Sequence, residues 1–460
     1  MQEELIKAFL RQNVWWDTNK VPEELKHKFI RPKVAEIQGY LEIDRILLLL
    51  GARRVGKTTM MHQLIDNLIK EDVKPGNILY IRMDDPFVNK FPLTEIIEIY
   101  RQYKTPDGTI YLFLDEIQHA DEWDLWLKTI YDQKENIKII ASGSAAVQLK
   151  KQSESLYGRS IEFTIHPFSF FEFALYMQKN ENKLLQLRNK INFDELDFDI
   201  EATELVELES EMTSLLNRYL VRGGFPEIFN ISDLTKSFYV LRDDIMNKAI
   251  YHDIVTLFKI KDPQIVESLM IYLAGNSAEI LNKDGLSEDL GIPKPTIYTY
   301  LDYLKRSFLA RNSRNYSRSV KKMLRTREKW YVPDAGIMNM LNYRNETLLS
   351  DGTYLGHLAE TVVFNHILTL AEMQNYKLAY WRDKNKSEVD IILDMHKRVV
   401  PIEVKYQSKI SKQDVKGLLK FMDKFDVDKG ILVTRNVFKK ESYDDKEIIF
   451  VPMWVLLIAM

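Results

Sequence analysis

Gly51, Ala52, Arg53, Arg54, Val55, Gly56, Lys57 and Thr58 follow the spacing G-x-x-x-x-G-K-[ST], with Thr59 directly behind. Each residue type has a use in holding a phosphate. Glycines at 51 and 56 let the backbone curl until its N–H groups converge on an anion. A helix that opens near Lys57 aims its positive end at the same oxygens. Lys57 adds a charge for β- and γ-phosphates, and the Thr58 hydroxyl is a ligand for Mg2+. The expected ligand is therefore ATP with Mg2+, and the expected chemistry is hydrolysis.

Two later strand ends supply partners. TIYLFLDE closes on Asp115 and Glu116. Asp115 is placed to hold the magnesium through a water, and Glu116 to polarise an attacking water. IKIIASGSAA closes on Ser142 and Ser144. Either serine can bond that water or the γ-phosphate, or the segment is a simple turn. Arg159 in LYGRS is a finger for a neighbouring subunit's γ-phosphate or a solvated surface arginine.

A second constellation lies near the C-terminus. Asp390 sits in EVDIILD, and Glu403 and Lys405 in PIEVKY. Strand alternation puts Glu403 and Lys405 on one face. Glu360, on a helix that begins near Gly356, can join them. Three carboxylates can hold one or two magnesium ions, with Lys405 positioning or activating a water. This pattern resembles the PD-(D/E)xK nuclease signature. The alternative is a degenerate nuclease fold kept for binding or assembly. His357 and His366 are read as packing or surface residues.

The elements that must position these groups follow from periodicity. RILLLLG, NILYIRMDD, TIYLFLDE and IKIIASGS read as buried strands, with helical patterns such as TTMMHQLIDNLIK between them. That alternation predicts a parallel sheet covered by helices, with ligands at the carboxyl ends of its strands. From about Phe168 to Ile260 the pattern is mainly helical, and its acidic stretch from Asn192 to Glu211 reads as a solvated helical face or lid. SEDLGIPKPTIYTYLDYLKRSFLA reads as a helix-turn-helix: Ser287 caps the first helix, Gly291 makes the turn, and Ile297, Leu301 and Leu304 share a face of the second. That second helix carries Lys294, Thr296, Tyr298 and Tyr300. The basic run after it holds Arg311, Arg314, Arg318, Lys321, Lys322, Arg325, Arg327 and Lys329 against one acid, Glu328. Such a run is a wing against DNA phosphates, a protein-contact surface, or a solvated face. KLAYWRD, EVDIILDM, RVVPIEVKY and KGILVTR return to strands, and VPMWVLLIAM reads as a final core strand.

Composition bounds the partners. A chain of 460 residues has room for about three domains. A net charge of −3 means that any basic surface is local. The absence of cysteine removes disulfides, thiolate catalysis and cysteine-held metals. No apolar run reaches the ~18 residues of a membrane span. A cytoplasmic protein with no membrane partner is expected.

In their order, GARRVGKTT, FLDEIQ, ASGSAA, LYGRS, PFSFFEF, RGGFPE and YVPDAGIMNML resemble the bacterial and archaeal AAA-type ATPases whose C-terminal region is the DUF4143 domain. The likeness runs over nearly the whole chain. It implies an ATPase core (1–167), a helical lid (168–261), a winged helix with the basic segment (262–330), and a restriction-endonuclease-like α/β domain (331–460). Under that resemblance RGGFPE falls in the lid. Its glycines imply a close backbone approach near the nucleotide, and Arg222 a sensor for ATP or a structural turn. The functions that follow are an ATPase acting on DNA as a homo-oligomer, a signalling switch whose winged helix contacts protein, or an ATP-gated nuclease.

Overall fold

The computed structural model describes residues 2–143, 153–177 and 181–460, apart from the side chains of 153, 154, 202 and 256. The chain forms two compact units. One comprises Met1–His166 with Tyr251–Ile260, the other Pro167–Ile250 with Lys261–Met460. Residues 251–260, expected in the lid, thus belong with the nucleotide-binding unit. No helix among the described residues is long and apolar enough to cross a membrane.

In the first unit, β1 (Ile46–Leu50), β2 (Ile78–Arg82), β3 (Ile110–Asp115), β4 (Ile137–Gly143) and β5 (Ser160–Thr164) form one sheet in the order β2-β3-β4-β1-β5. Every pairing is parallel. β1 is ILLLL and buried at every position, as a central strand covered on both faces must be. Helices Lys57–Lys70, Leu93–Lys104 and Trp123–Asp132 connect the first four strands. The chain leaves β1 for β2, two places beyond β4, and returns inward. β1 therefore stands at the point where strand order reverses, which opens a crevice at its carboxyl end. β5 lacks a strong apolar run because it is an edge strand, with Glu162 facing solvent.

β2 is the opposite edge, and the N-terminal segment covers it. The Asn13 side chain donates to the Tyr80 carbonyl at 2.9 Å and accepts from the Tyr80 N–H at 2.7 Å, standing in for a neighbouring strand. The Trp16 indole donates to the Ile78 carbonyl at 2.8 Å. Edge strands need such cover. Asn13→Ala strands two buried backbone groups, a cost of about 2 kcal/mol. Amide exchange at Tyr80 should then quicken by about 30-fold.

His62, on helix Lys57–Lys70, is buried against the Trp15 and Tyr80 rings. Burial lowers its pKa from 6.5 to about 4. Between those values the unfolded chain takes up a proton that the folded one refuses. Stability is therefore full above pH 6.5 and falls as pH drops towards 4, by about 2 kcal/mol at pH 5. Denaturant titrations of the wild type and His62→Phe should show this slope only in the wild type.

The second unit opens with helices Phe170–Tyr176 and Glu181–Asn189 and a short hairpin of β6 (Ile191–Asn192) and β7 (Asp197–Phe198). The acidic stretch divides between this hairpin and helix Ala202–Arg222. A nine-stranded sheet follows. Its strands are β8 (Glu279–Ile280), β9 (Arg311–Asn315), β10 (Glu328–Tyr331), β11 (Lys377–Arg382), β12 (Glu388–Asp394), β13 (Val399–Lys405), β14 (Lys429–Thr434), β15 (Lys439–Tyr443) and β16 (Lys446–Pro452). They lie in the order β15-β16-β14-β13-β12-β11-β9-β10-β8. The expected boundary at 330/331 falls inside β10. β9 pairs with β11 through Arg314 and Ala379, so residues 262–330 and 331–460 share one sheet.

Two local expectations change. Helix Lys283–Leu290 is capped by Asn282, whose side chain accepts from the Gly285 N–H. Ser287 instead lies inside it and donates to the Ile292 carbonyl at 2.6 Å. Gly291 makes the turn at φ 64, and Ile297, Leu301 and Leu304 are buried in helix Lys294–Arg306. At the C-terminus, β16 stops at Pro452 and Met453–Ala459 is a buried helix. Proline ends the ladder and suits the start of a helix. A run apolar on every side cannot by itself distinguish strand from helix.

RGGFPE packs against PDAG within this unit. A Cβ on Gly223 (φ +79) would lie 2.1 Å from Asp334 Oδ1, one on Gly224 2.3 Å from the Phe168 carbonyl oxygen, and one on Gly336 2.1 Å from the Arg222 carbonyl oxygen. Asp334 accepts from the N–H groups of Gly224 at 2.7 Å, Gly336 at 2.8 Å and Ile337 at 3.2 Å. The close approach that the glycines imply is to this aspartate and its helix. Arg222 is buried and donates to the Ile231 carbonyl at 2.6 Å and to that of Ser232. Those bonds hold it where helix Ala202–Arg222 ends.

Candidate active site

β1 runs into the loop, and the loop into helix Lys57–Lys70. A Cβ at Gly51 would stand 2.2 Å from the Ile165 carbonyl oxygen, so only glycine fits. Gly56 holds φ 96, a conformation that side chains resist. Lys57 is buried and donates to the carbonyls of Gly51 at 3.0 Å and Ala52 at 2.7 Å. Burial pushes its ammonium below the ordinary lysine value, against the pull of Glu116 and Asp115. Arg53 forms a two-point ion pair with Asp253 at 2.6 and 2.8 Å. Nothing in the local sequence singles out Asp253, which lies 200 positions away.

Asp115 ends β3 and is buried. The Thr58 hydroxyl donates to it at 2.7 Å and the Tyr80 hydroxyl at 2.8 Å. β4 lies between β1 and β3, and its Ser142 donates to the other Asp115 oxygen and accepts from the Glu116 N–H at 3.2 Å. Burial raises the Asp115 carboxyl, helped by Glu116, while the three hydroxyls oppose the shift. Glu116 stands in the left-handed region at φ 54 and its carboxylate accepts from Gln118. Ser142 thus holds Asp115 and Glu116 in place. Ser144 lies outside the described residues.

Magnesium takes octahedral oxygen ligands, usually one or two from protein and the rest from phosphate and water. The Thr58 hydroxyl and Asp115 carboxylate, side by side at the strand ends, fit that need. Arg159 lies elsewhere. Its carbonyl accepts from the Ile46 N–H at the start of β1, and its guanidinium is paired with Asp132 at 2.7 and 3.1 Å. It is therefore at the edge of the sheet opposite the phosphate loop.

The C-terminal residues do come together, but with an unexpected member. Lys329 Nζ, on β10, lies 2.6 Å from Glu360, 2.8 Å from Glu388 and 3.4 Å from Asp390. Lys405 pairs with Glu403. Asp390 accepts from the Val404 N–H at 2.9 Å, and the Tyr331 hydroxyl donates to Glu360 at 3.1 Å. Burial and the Asp390 charge raise Glu360 to about 8. Among the described residues no group of three or more His, Asp or Glu is arranged to hold a metal. Lys329 lies within the basic run and Glu388 two residues before Asp390, where neither local pattern marks it as part of the cluster. His366 is buried, accepting from the Phe170 N–H at 2.8 Å, and His357 is near Glu279.

The basic run is also redistributed. Arg311 is buried beside the Phe308 ring, so it is no phosphate contact at the surface. Arg314 pairs with Glu328 at 3.2 Å, and Lys294 with Asp284. Arg318 is exposed and donates to the Phe425 carbonyl. Lys321 and Lys322 are exposed on the turn of helix Val320–Met323, Tyr298 is exposed, and Thr296 is half-buried.

A phosphate loop at the reversal point of a parallel β2-β3-β4-β1-β5 sheet, with an acidic pair on β3, defines a P-loop ATPase of the AAA type. Residues 44–174 match the AAA domain, and residues 355–456 match the domain of unknown function DUF4143. Residues 213–348 match a second domain of unknown function, DUF8612. Together the AAA and DUF4143 matches support an AAA-type ATPase with a C-terminal DUF4143 domain. It is similar to an uncharacterised protein of Methanocaldococcus jannaschii, 27% identical over 427 residues that cover 90% of this chain and 86% of the relative. It is also similar to one of Haemophilus influenzae, 25% identical over 425 residues that cover 91% and 96%. Among solved structures, the Aeropyrum pernix ORC1 protein in complex with DNA aligns at a TM-score of 0.28 and 14% identity, over 72% of this chain and 96% of that one.

Proposed function

We propose that the chain binds ATP with Mg2+ at Gly51–Thr59 and hydrolyses it. The observation that carries this reading is the 2.7 Å contact between the Thr58 hydroxyl and the buried Asp115 carboxylate, with Glu116 next to it. Magnesium would supply charge neutralisation on the phosphates. The loop N–H groups hold the phosphates, Lys57 leaves its carbonyl partners to meet the β- and γ-oxygens, and Glu116 takes the proton of the attacking water. Ser142 keeps both acids fixed. Arg159, about 16 Å along β1 and β5 from the loop, is out of reach of its own site. Its use as a finger requires a second copy of the chain, released from Asp132.

We further read residues 262–330 as a winged helix, and DNA as its partner. Support comes from exposed Lys321, Lys322, Arg325 and Arg327 beside the helix pair. One observation favours protein contact instead: Arg311 and Lys329 are buried, and Arg314 is paired with Glu328. Turnover measured with single-stranded, duplex and branched DNA separates the two. A stimulation lost in Lys321→Glu/Lys322→Glu supports DNA. If DNA neither binds nor stimulates at moderate salt, the DNA reading fails and the switch remains.

A further inference from the structure

The resemblance to PD-(D/E)xK nucleases brings with it a metal held by Glu360, Asp390 and Glu403. The side chains present do not fit one. Strand alternation sends Lys329 and Tyr331 from β10 to the same side, and both reach Glu360. The Lys329 ammonium is 3% exposed and within 3.4 Å of three carboxylates. A magnesium ion needs those oxygens at about 2.1 Å from its own centre. It would have to take the place of the ammonium.

The strand that carries the ammonium is paired on both sides. β10 lies between β9 and β8, with Lys329 in register with Ser313 on one side and Ile280 on the other. Each remaining acid has its own partner as well. Glu388 is 3.4 Å from Arg382, Glu403 is paired with Lys405 and accepts from the Asp390 N–H, and Asp390 accepts from the Val404 N–H. Acids buried in this way persist only when charge and hydrogen bonds are matched. Here a lysine of the same chain does the matching.

We propose that Lys329 is the resident cation of this cluster, so that the nuclease-like site takes no divalent metal and cleaves no phosphodiester by metal chemistry. The sheet shared by residues 262–330 and 331–460 is then tied at its centre by one ion network. A change that withdrew β10 would expose an acidic pocket.

The test is Mn2+ binding to the full-length, nucleotide-free protein, read from the electron paramagnetic resonance of free Mn2+. Wild type and Asp390→Asn should bind the same number of ions. A Mn2+ site in the wild type that Asp390→Asn abolishes overturns the proposal. In a second arm, Lys329→Met should melt lower than the wild type in EDTA and recover part of the loss on adding Mn2+, which should leave the wild type unmoved. Equal melting of Lys329→Met and wild type, with no response to Mn2+, also overturns it. Should Lys329→Met not fold, a soluble Lys329→Arg supports the need for a cation there, and an insoluble one counts against a simple charge role. The wild-type arm decides the metal question in every case.

Discussion

Lys57→Ala is expected to lower ATP turnover by about 10²- to 10³-fold, the usual loss when a preorganised charge is removed from a developing anion. The ammonium is buried and donates to two loop carbonyls, so it is already placed at the loop rather than recruited from solvent. Glu116→Gln should give a different signature. Its carboxamide cannot accept the water's proton, yet the loop, Thr58 and Asp115 are unchanged, so nucleotide binding persists while phosphate release stops. A fluorescent ATP analogue titrated against both variants, beside a phosphate-release assay, distinguishes the two. Turnover that survives both changes would place hydrolysis outside this loop.

Asp334→Ala should cost the second unit about 3–6 kcal/mol, because it leaves the N–H groups of Gly224, Gly336 and Ile337 without their acceptor in a buried place. The glycines next to it cannot relax inward. Gly336 already lies against the Arg222 backbone, and Gly223 against the Gly336 backbone. Asp334→Asn keeps one acceptor oxygen and should lose about half as much. Denaturant unfolding followed through hydrogen exchange at Gly224 and Ile337 reads the effect where it arises. Protection at those amides equal to that of the wild type would show that the contact contributes little.

Much of the first unit was legible because its signals are local. ILLLL, ILYIR, IYLFLD and IKIIASG are apolar runs of strand length between helical patterns, and each is a parallel strand of one sheet. The phosphate loop is contiguous, so its glycines, lysine and threonine could be read together. β5 was harder, since an edge strand needs fewer apolar residues. The last ten residues misled because a segment buried on all sides loses its period, and Pro452 was the better guide. The cover of β2 by Asn13 was also hidden, as one asparagine in a charged segment carries no periodic signal.

The sequence by itself determined the phosphate-binding chemistry, the acidic pair at Asp115 and Glu116, and the strand order's parallel character. Residue type and near-neighbour spacing are enough to fix these. Only the tertiary structure decided where isolated charges go. It bound Arg222 to the carbonyls of Ile231 and Ser232, sent Arg311 inward, tied Arg53 to Asp253, and set Lys329 among Glu360, Glu388 and Asp390. A lysine in a basic run and one on the inward face of a paired strand have the same letters around them. They differ in which strands pair beside them, and strand pairing joins residues far apart in the chain.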